Sequence, residues 1–262
     1  GATSVTAIDA SAFGDAGDEL LIMNIGASAI TITGSGFNDE FVFSSDSLTG
    51  ADSIGGGGGT DAIGFTVTAN IADAELAGVT SIERLLIGRP AGPTINLGVE
   101  LGGNASTAGI HTVDIFENAS TDVLVTNAYV GPLTVNLDAR YLDSGDTNGA
   151  DTVDASAMTG ALTVKALGSH IDSLDVLIGG AGLADALNLI ADNGFTDMEF
   201  VSGFDTLNVL AGALAADGLS IDTFDNTVAA GGLLTVDASA LGASAVLNFD
   251  GGAELDGRFK VT

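Results

Sequence analysis

Residues 50–63 read GADSIGGGGGTDAI: five consecutive glycines, Gly55–Gly59, set between Asp52–Ser53–Ile54 and Asp61–Ala62–Ile63, with the two aspartates nine residues apart. A flexible linker would use the glycines, but it has no reason to hold an aspartate in register before each isoleucine. Glycine reaches backbone angles that other residues resist, so it permits a tight turn with inward-aimed carbonyls. Aspartate is both a turn residue and a short oxygen ligand for a hard cation. The isoleucine two places on starts a short strand and points to a core. The stretch therefore reads as a tight turn joining two strands, with a carboxylate at the same position of each.

The pattern extends in both directions. Residues 56–64, GGGGTDAIG, fit the nine-residue form Gly-Gly-x-Gly-x-Asp-x-apolar-x at every specified position. Gly50–Ala51–Asp52–Ser53–Ile54 fits its second half, and upstream GSGFNDEFVF puts Asp39 and Phe41 in the Asp and apolar slots. Downstream, NGADTV places Asp151 and Val153 there, and Asp175–Val176–Leu177 leads into GGAGLADAL, where Asp185 falls one residue late. The segment DSGDTNGAD offers oxygens at Asp143, Asp146, Asn148 and Asp151 but lacks the order and terminal Glu of a helix-flanked calcium loop, so a polar turn is an equal reading. DNGFTDMEF, with Asp192, Asp197 and Glu199, reads as a turn, and DAGDEL, with Asp15 and Asp18, is ambiguous.

Charge bears on the same question. The 262 residues carry 35 acids, 27 of them Asp, against six bases, for a net charge of −29. Nucleic acid and anionic membrane surfaces are implausible partners, because the phosphate term would be repulsive. Self-repulsion opposes compaction, and divalent cations would offset it. A lysine-poor acidic surface adapted to high salt is the competing account. There is no cysteine and hence no disulfide framework. No signal peptide is recognisable, and the longest apolar stretch, LLIMNIGASAITI, is too short and interrupted to span a bilayer. The chain is expected to be a mature piece or excised fragment, and soluble.

Short β-type runs such as AITIT, EFVF, GFTVT, LTVNL, TLNVL and LLTVDA recur throughout, separated by Gly, Asp, Asn and Ser. Three lines nearly repeat: IDASAF from Ile8, VDASAM from Val153 and VDASAL from Val236. Their aspartates, Asp9, Asp154 and Asp237, are expected to bond local amides at coil corners. A second set comprises TSIERLLIG from Thr80, GIHTVDIFE from Gly109 and SGFDTLNVL from Ser202. The best helix candidate is NIADAELAG, with Asn70 as its cap. Apolar residues make up 46% of the chain but are mostly small, with no Trp, which suits thin regular layers. The expected fold class is all-β: a parallel β-solenoid with β-roll turns and at most one or two short helices, forming a single repetitive region over residues 1–262.

These residues resemble the calcium-binding RTX nonapeptide family, whose repeats form a parallel β-roll. Gly34 to Gly88 is further similar to the lattice-forming region of RTX-type S-layer proteins. The resemblance implies bound Ca2+, with Gly50, Asp52, Gly56, Gly58, Thr60 and Asp61 as site residues in the best-matched turns. Asp39, Asp151, Asp175 and Asp185 are the corresponding candidates in the partial matches, and Asp146 is a further candidate in DSGDTNGAD. Only Asp52 and Asp61 form a consecutive pair, so a few sites embedded in a larger solenoid are expected rather than a continuous ladder.

By the same resemblance the chain would be part of a larger secreted protein, located at the cell surface in an S-layer. Its partners would be calcium ions and other copies of itself, with cell-surface polysaccharide as a further candidate. The alternative is an RTX adhesin segment presenting a ligand-binding face on a calcium-rigidified rod; a third reading, the β-roll of a secreted enzyme, needs a catalytic domain elsewhere. Catalysis within this chain is not expected: His111 and His170 are the only histidines, and neither a zinc-protease motif nor a nucleophile elbow is present.

Overall fold

The computed structural model describes residues 5–12, 21–25, 29–43, 47–65, 70–87, 97–116, 121–137, 150–182 and 184–262. Asp15, Asp18, Asp143, Asp146 and Asn148 lie outside the described residues.

Alternation of apolar and polar residues in short runs bounded by Gly and Asp yields strands that bury one side, and here every strand pair is parallel. Among the described residues eleven strands form one continuous face: Leu21–Ile25, Glu40–Phe43, Ala62–Phe65, Arg84–Ile87, Thr112–Ile115, Leu133–Asn136, Leu162–Leu167, Ala186–Ile190, Thr206–Leu210, Leu234–Asp237 and Phe259–Val261. The remaining strands stack opposite in three groups. The first is Ala7–Asp9, Thr31–Thr33, Ser53–Gly55 and Val79–Thr80. The second is Leu97–Leu101, Thr121–Val125, Thr152–Asp154, Val176–Ile178 and Val201–Ser202, and the third is Phe195–Asp197, Leu219–Asp222 and Leu247–Asp250. The chain alternates between the long face and these groups, except that Phe195–Asp197 and Val201–Ser202 come from two groups in succession, which makes it a parallel β-solenoid, as expected from the sequence.

The core is built of files of inward residues that repeat from coil to coil, two to most strands of the long face. Phe41, Ile63, Leu85, Val113, Val135 and Val164 follow one another in register along the long face, and each is fully buried. Ile32, Ile54 and Val79 do the same opposite. Each such side chain contributes about 1.5–3 kcal/mol by leaving water. Aliphatic residues suffice because the two faces lie close; Phe43 and Phe65 add one tilted ring pair at 6.2 Å.

The outward side of the long face carries two polar columns, also in register. One runs Thr112, Thr134, Thr163, Ala186, Thr206, Thr235. The other runs Asp114, Asn136, Lys165, Asn188, Asn208, Asp237.

Helix is scarce but differently placed from the sequence expectation. The segment NIADAELAG forms only a 3-10 turn, Asp73–Leu76, preceded by Ala72. Asn70 does not cap it; its Oδ1 instead accepts the Gly98 N–H at 2.9 Å. The α-helix that does form, Gly103–Ala108, comes from LGGNASTAG and is capped from the preceding coil. Asp73 accepts the N–H groups of Gly102, Asn104 and Ala105, the orphan amides of that helix start. A cap supplied across coils leaves no local signature. Among the described residues no helix is long and apolar enough to cross a membrane.

Candidate carboxylate files at the coil corners

The glycine run is the corner between the strands Ser53–Gly55 and Ala62–Phe65. It is stacked between two other turns: Gly58 N–H donates to Ser35 O, Gly56 N–H to Thr80 O, and Gly34 N–H to Gly55 O. Gly57 and Gly59 have φ of +102° and +118°. A Cβ on Gly57 would lie 2.0 Å from Ser35 O, and one on Gly56 only 2.4 Å from Asp61 Oδ2. Glycine is required there by close stacking as well as by φ. A linker would show neither constraint.

At several corners an acid immediately before a strand accepts a backbone N–H from the coil before it. Asp61 Oδ1 takes the Asp39 N–H at 2.7 Å, and Glu83 Oε2 takes the Asp61 N–H at 2.7 Å, each step spanning 22 residues. Asp39, at the start of this file, takes the Ser35 N–H and hydroxyl. On the opposite face Asp52 takes Ile30 N–H, Thr49 N–H and the Thr49 hydroxyl. Further along, Asp151 takes Thr121 N–H, and Asp175 takes the N–H groups of Asp151 and Asp172. Asp185 takes Leu162 and Gly180 N–H, and Asp205 takes Ala184 and Asp185 N–H. Asp39, Asp52, Asp61, Asp151, Asp175 and Asp185 are all at most 4% exposed.

Asp39, Asp52, Asp61, Asp151, Asp175 and Asp185 thus each stand immediately before a strand, but they do not form one cluster. Asp39 and Asp61 share a file; Asp52 starts a strand on the other face. Thr60 N–H donates to Asn38 Oδ1, and Gly58 is exposed. A Cβ on Gly50 would lie 2.8 Å from Ala74 O, so that glycine serves close packing of coils. Asp185, one residue late in the pattern, still stands immediately before a strand, Ala186–Ile190, and follows Ala184 at φ +88°. Glu83 completes the file and escaped the motif, although it stands at the same 22-residue interval from Asp61. The three DASA aspartates each accept the N–H two residues on, from Ser11, Ser156 and Ser239, as expected of corner residues. The Ser11 and Ser239 side chains, and after them these backbone bonds, hold the carboxyls of Asp9 and Asp237 below the usual range.

One oxygen stands apart. Asp61 Oδ2 is buried and has no hydrogen-bond partner among the described residues. Burial, followed by the charges of Asp39 and Glu83, pushes this carboxyl up to about 6 despite the amide it accepts. Burial also raises Asp185, with the Asp205 charge adding to it. A lone-pair oxygen with neither donor nor water-facing surface is costly, and a cation would satisfy it. Its cradle against Gly56 is one that any side chain there would fill.

A second acidic group lies near the C-terminal coils, where ligand oxygens of Asp225, Glu254 and Asp256 fall within 4.8 Å of one another. It could hold a divalent cation, and the sequence does not mark it because its members come from neighbouring coils, Asp225 from one and Glu254 and Asp256 from the next. His111 is exposed, with Nδ1 3.2 Å from Thr112 Oγ1, and His170 is buried in the turn Gly168–His170. Comparison with protein families, with curated proteins and with solved structures finds no match to this chain.

Proposed function

We propose that the chain is a calcium-stabilised structural solenoid that self-assembles into an extracellular surface layer. It serves as a scaffold rather than as an enzyme. The observation that carries this reading is the file Asp39–Asp61–Glu83, in which two buried aspartates and the half-buried Glu83 stack coil upon coil and Asp61 Oδ2 has no hydrogen-bond partner among the described residues. No Lys or Arg occurs before Arg84 to neutralise it. Calcium prefers six or more oxygens and would draw on Asp61 Oδ2 and the carbonyls of the glycine turn. Resemblance of Gly34–Gly88 to S-layer lattice regions supports the cell-surface placement, and a rigid solenoid suits a coat.

The test is electron microscopy with sedimentation in millimolar calcium and in chelator at matched ionic strength. Ordered arrays in calcium alone are expected. A compact monomer that loosens in chelator would instead favour the adhesin segment, and identical behaviour in both would overturn the calcium reading.

A further inference from the structure

A body with net charge −29 repels its copies over most of its surface, so a contact between copies should use a face depleted of carboxylates. The outward side of the long face is such a place. From Asn136 to Asn208 neither polar column contains an acid, and the exposed Lys165 stands in it with no salt bridge among the described residues. Asp114, at one end, is buried and paired with Arg84, while Asp237 lies at the other. Asn208 Nδ2 donates to Asn188 Oδ1 at 2.7 Å. That bond leaves the Asn188 amide hydrogens and Asn208 Oδ1 available on the surface.

We propose that this face is a two-fold docking surface for a second copy of the chain. The reading rests on the self-assembly proposed above and names the contact. A two-fold axis parallel to the strands and passing between the Asn188 and Asn208 strands reverses the order of coils while keeping each column opposite itself. It sets Asn188 against Asn208 of the second copy, so the free donor meets the free acceptor. One coil further out it sets Lys165 against Asp237. Both contacts occur twice, as an isologous interface requires. In the other column Ala186 meets Thr206 and Thr163 meets Thr235, small side chains that let two flat faces approach.

The test is sedimentation of the full chain across concentration, in calcium and in chelator, for wild type, Lys165→Glu, Asp237→Lys and the double swap. Wild type is expected to dimerise. Each single change should weaken the dimer about tenfold or more, because two attractive pairs become repulsive, and the double swap should restore it. Asp237 also accepts the Ser239 N–H, so Asp237→Asn, which keeps an acceptor, separates loss of charge from loss of the corner. Ordered arrays in calcium that Lys165→Glu leaves unchanged would overturn this contact and spare the assembly reading. A wild type that stays monomeric in every condition would overturn both.

Discussion

At the residue scale, Asp61 combines opposing demands. Its Oδ1 anchors the coil below by accepting the Asp39 N–H, yet its Oδ2 is buried between two other acids with no donor among the described residues. Burial pushes its carboxyl up to about 6, so folding favours the protonated form. The contribution to stability is full below the ordinary value and is lost as pH rises through about 6. Without divalent ions the melting temperature should therefore fall from pH 5 to pH 7, and Asp61→Asn should flatten that slope. Asp9 and Asp237, whose carboxyls are lowered, act oppositely and only toward the acid end. With calcium the wild-type slope should reverse, since a cation selects the ionised form. Thermal scans at several pH values check both signs; equal slopes for wild type and Asp61→Asn would remove Asp61 from the account.

At the scale of elements, the corner matters more than the strand. Strands of three to five residues such as Ser53–Gly55 have little stability alone, and the corner amides bonded to carboxylates keep successive coils in register. The glycine corner gives a graded prediction. Gly57→Ala places a Cβ at φ +102° and 2.0 Å from Ser35 O, and should cost about 2 kcal/mol or more. A Cβ on Gly36, in the turn stacked on it, would meet nothing within 4 Å, so Gly36→Ala should stay within about 0.5 kcal/mol of wild type. Urea titrations of the two variants distinguish a built corner from a slack loop, which would tolerate both equally.

At the scale of the whole molecule, charge acts in two layers. Exposed acids repel through solvent and are screened by salt, while the buried files are shielded from it. In chelator at pH 7, raising sodium chloride from about 10 mM to 150 mM should shorten the screening length from about 30 Å to 8 Å and raise the melting temperature. Calcium at equal ionic strength should raise it further. If sodium alone gave the whole rise, the acidity would be a general adaptation to salt and not the mark of cation sites.

The sequence by itself determined the all-β parallel solenoid, because apolar alternation and glycine–aspartate corners are local and periodic. It also marked Asp39, Asp52, Asp61, Asp151, Asp175 and Asp185 as equivalent positions, and the DASA aspartates as corner residues. Only the tertiary structure decided which acids stack together, since whether two corners share a face depends on how much chain lies between them. It alone brought Glu83 into the file beside Asp61, capped the helix Gly103–Ala108 with Asp73, and gathered Asp225, Glu254 and Asp256. Those contacts run between coils, and their residue types carry no mark of the partner a full turn away.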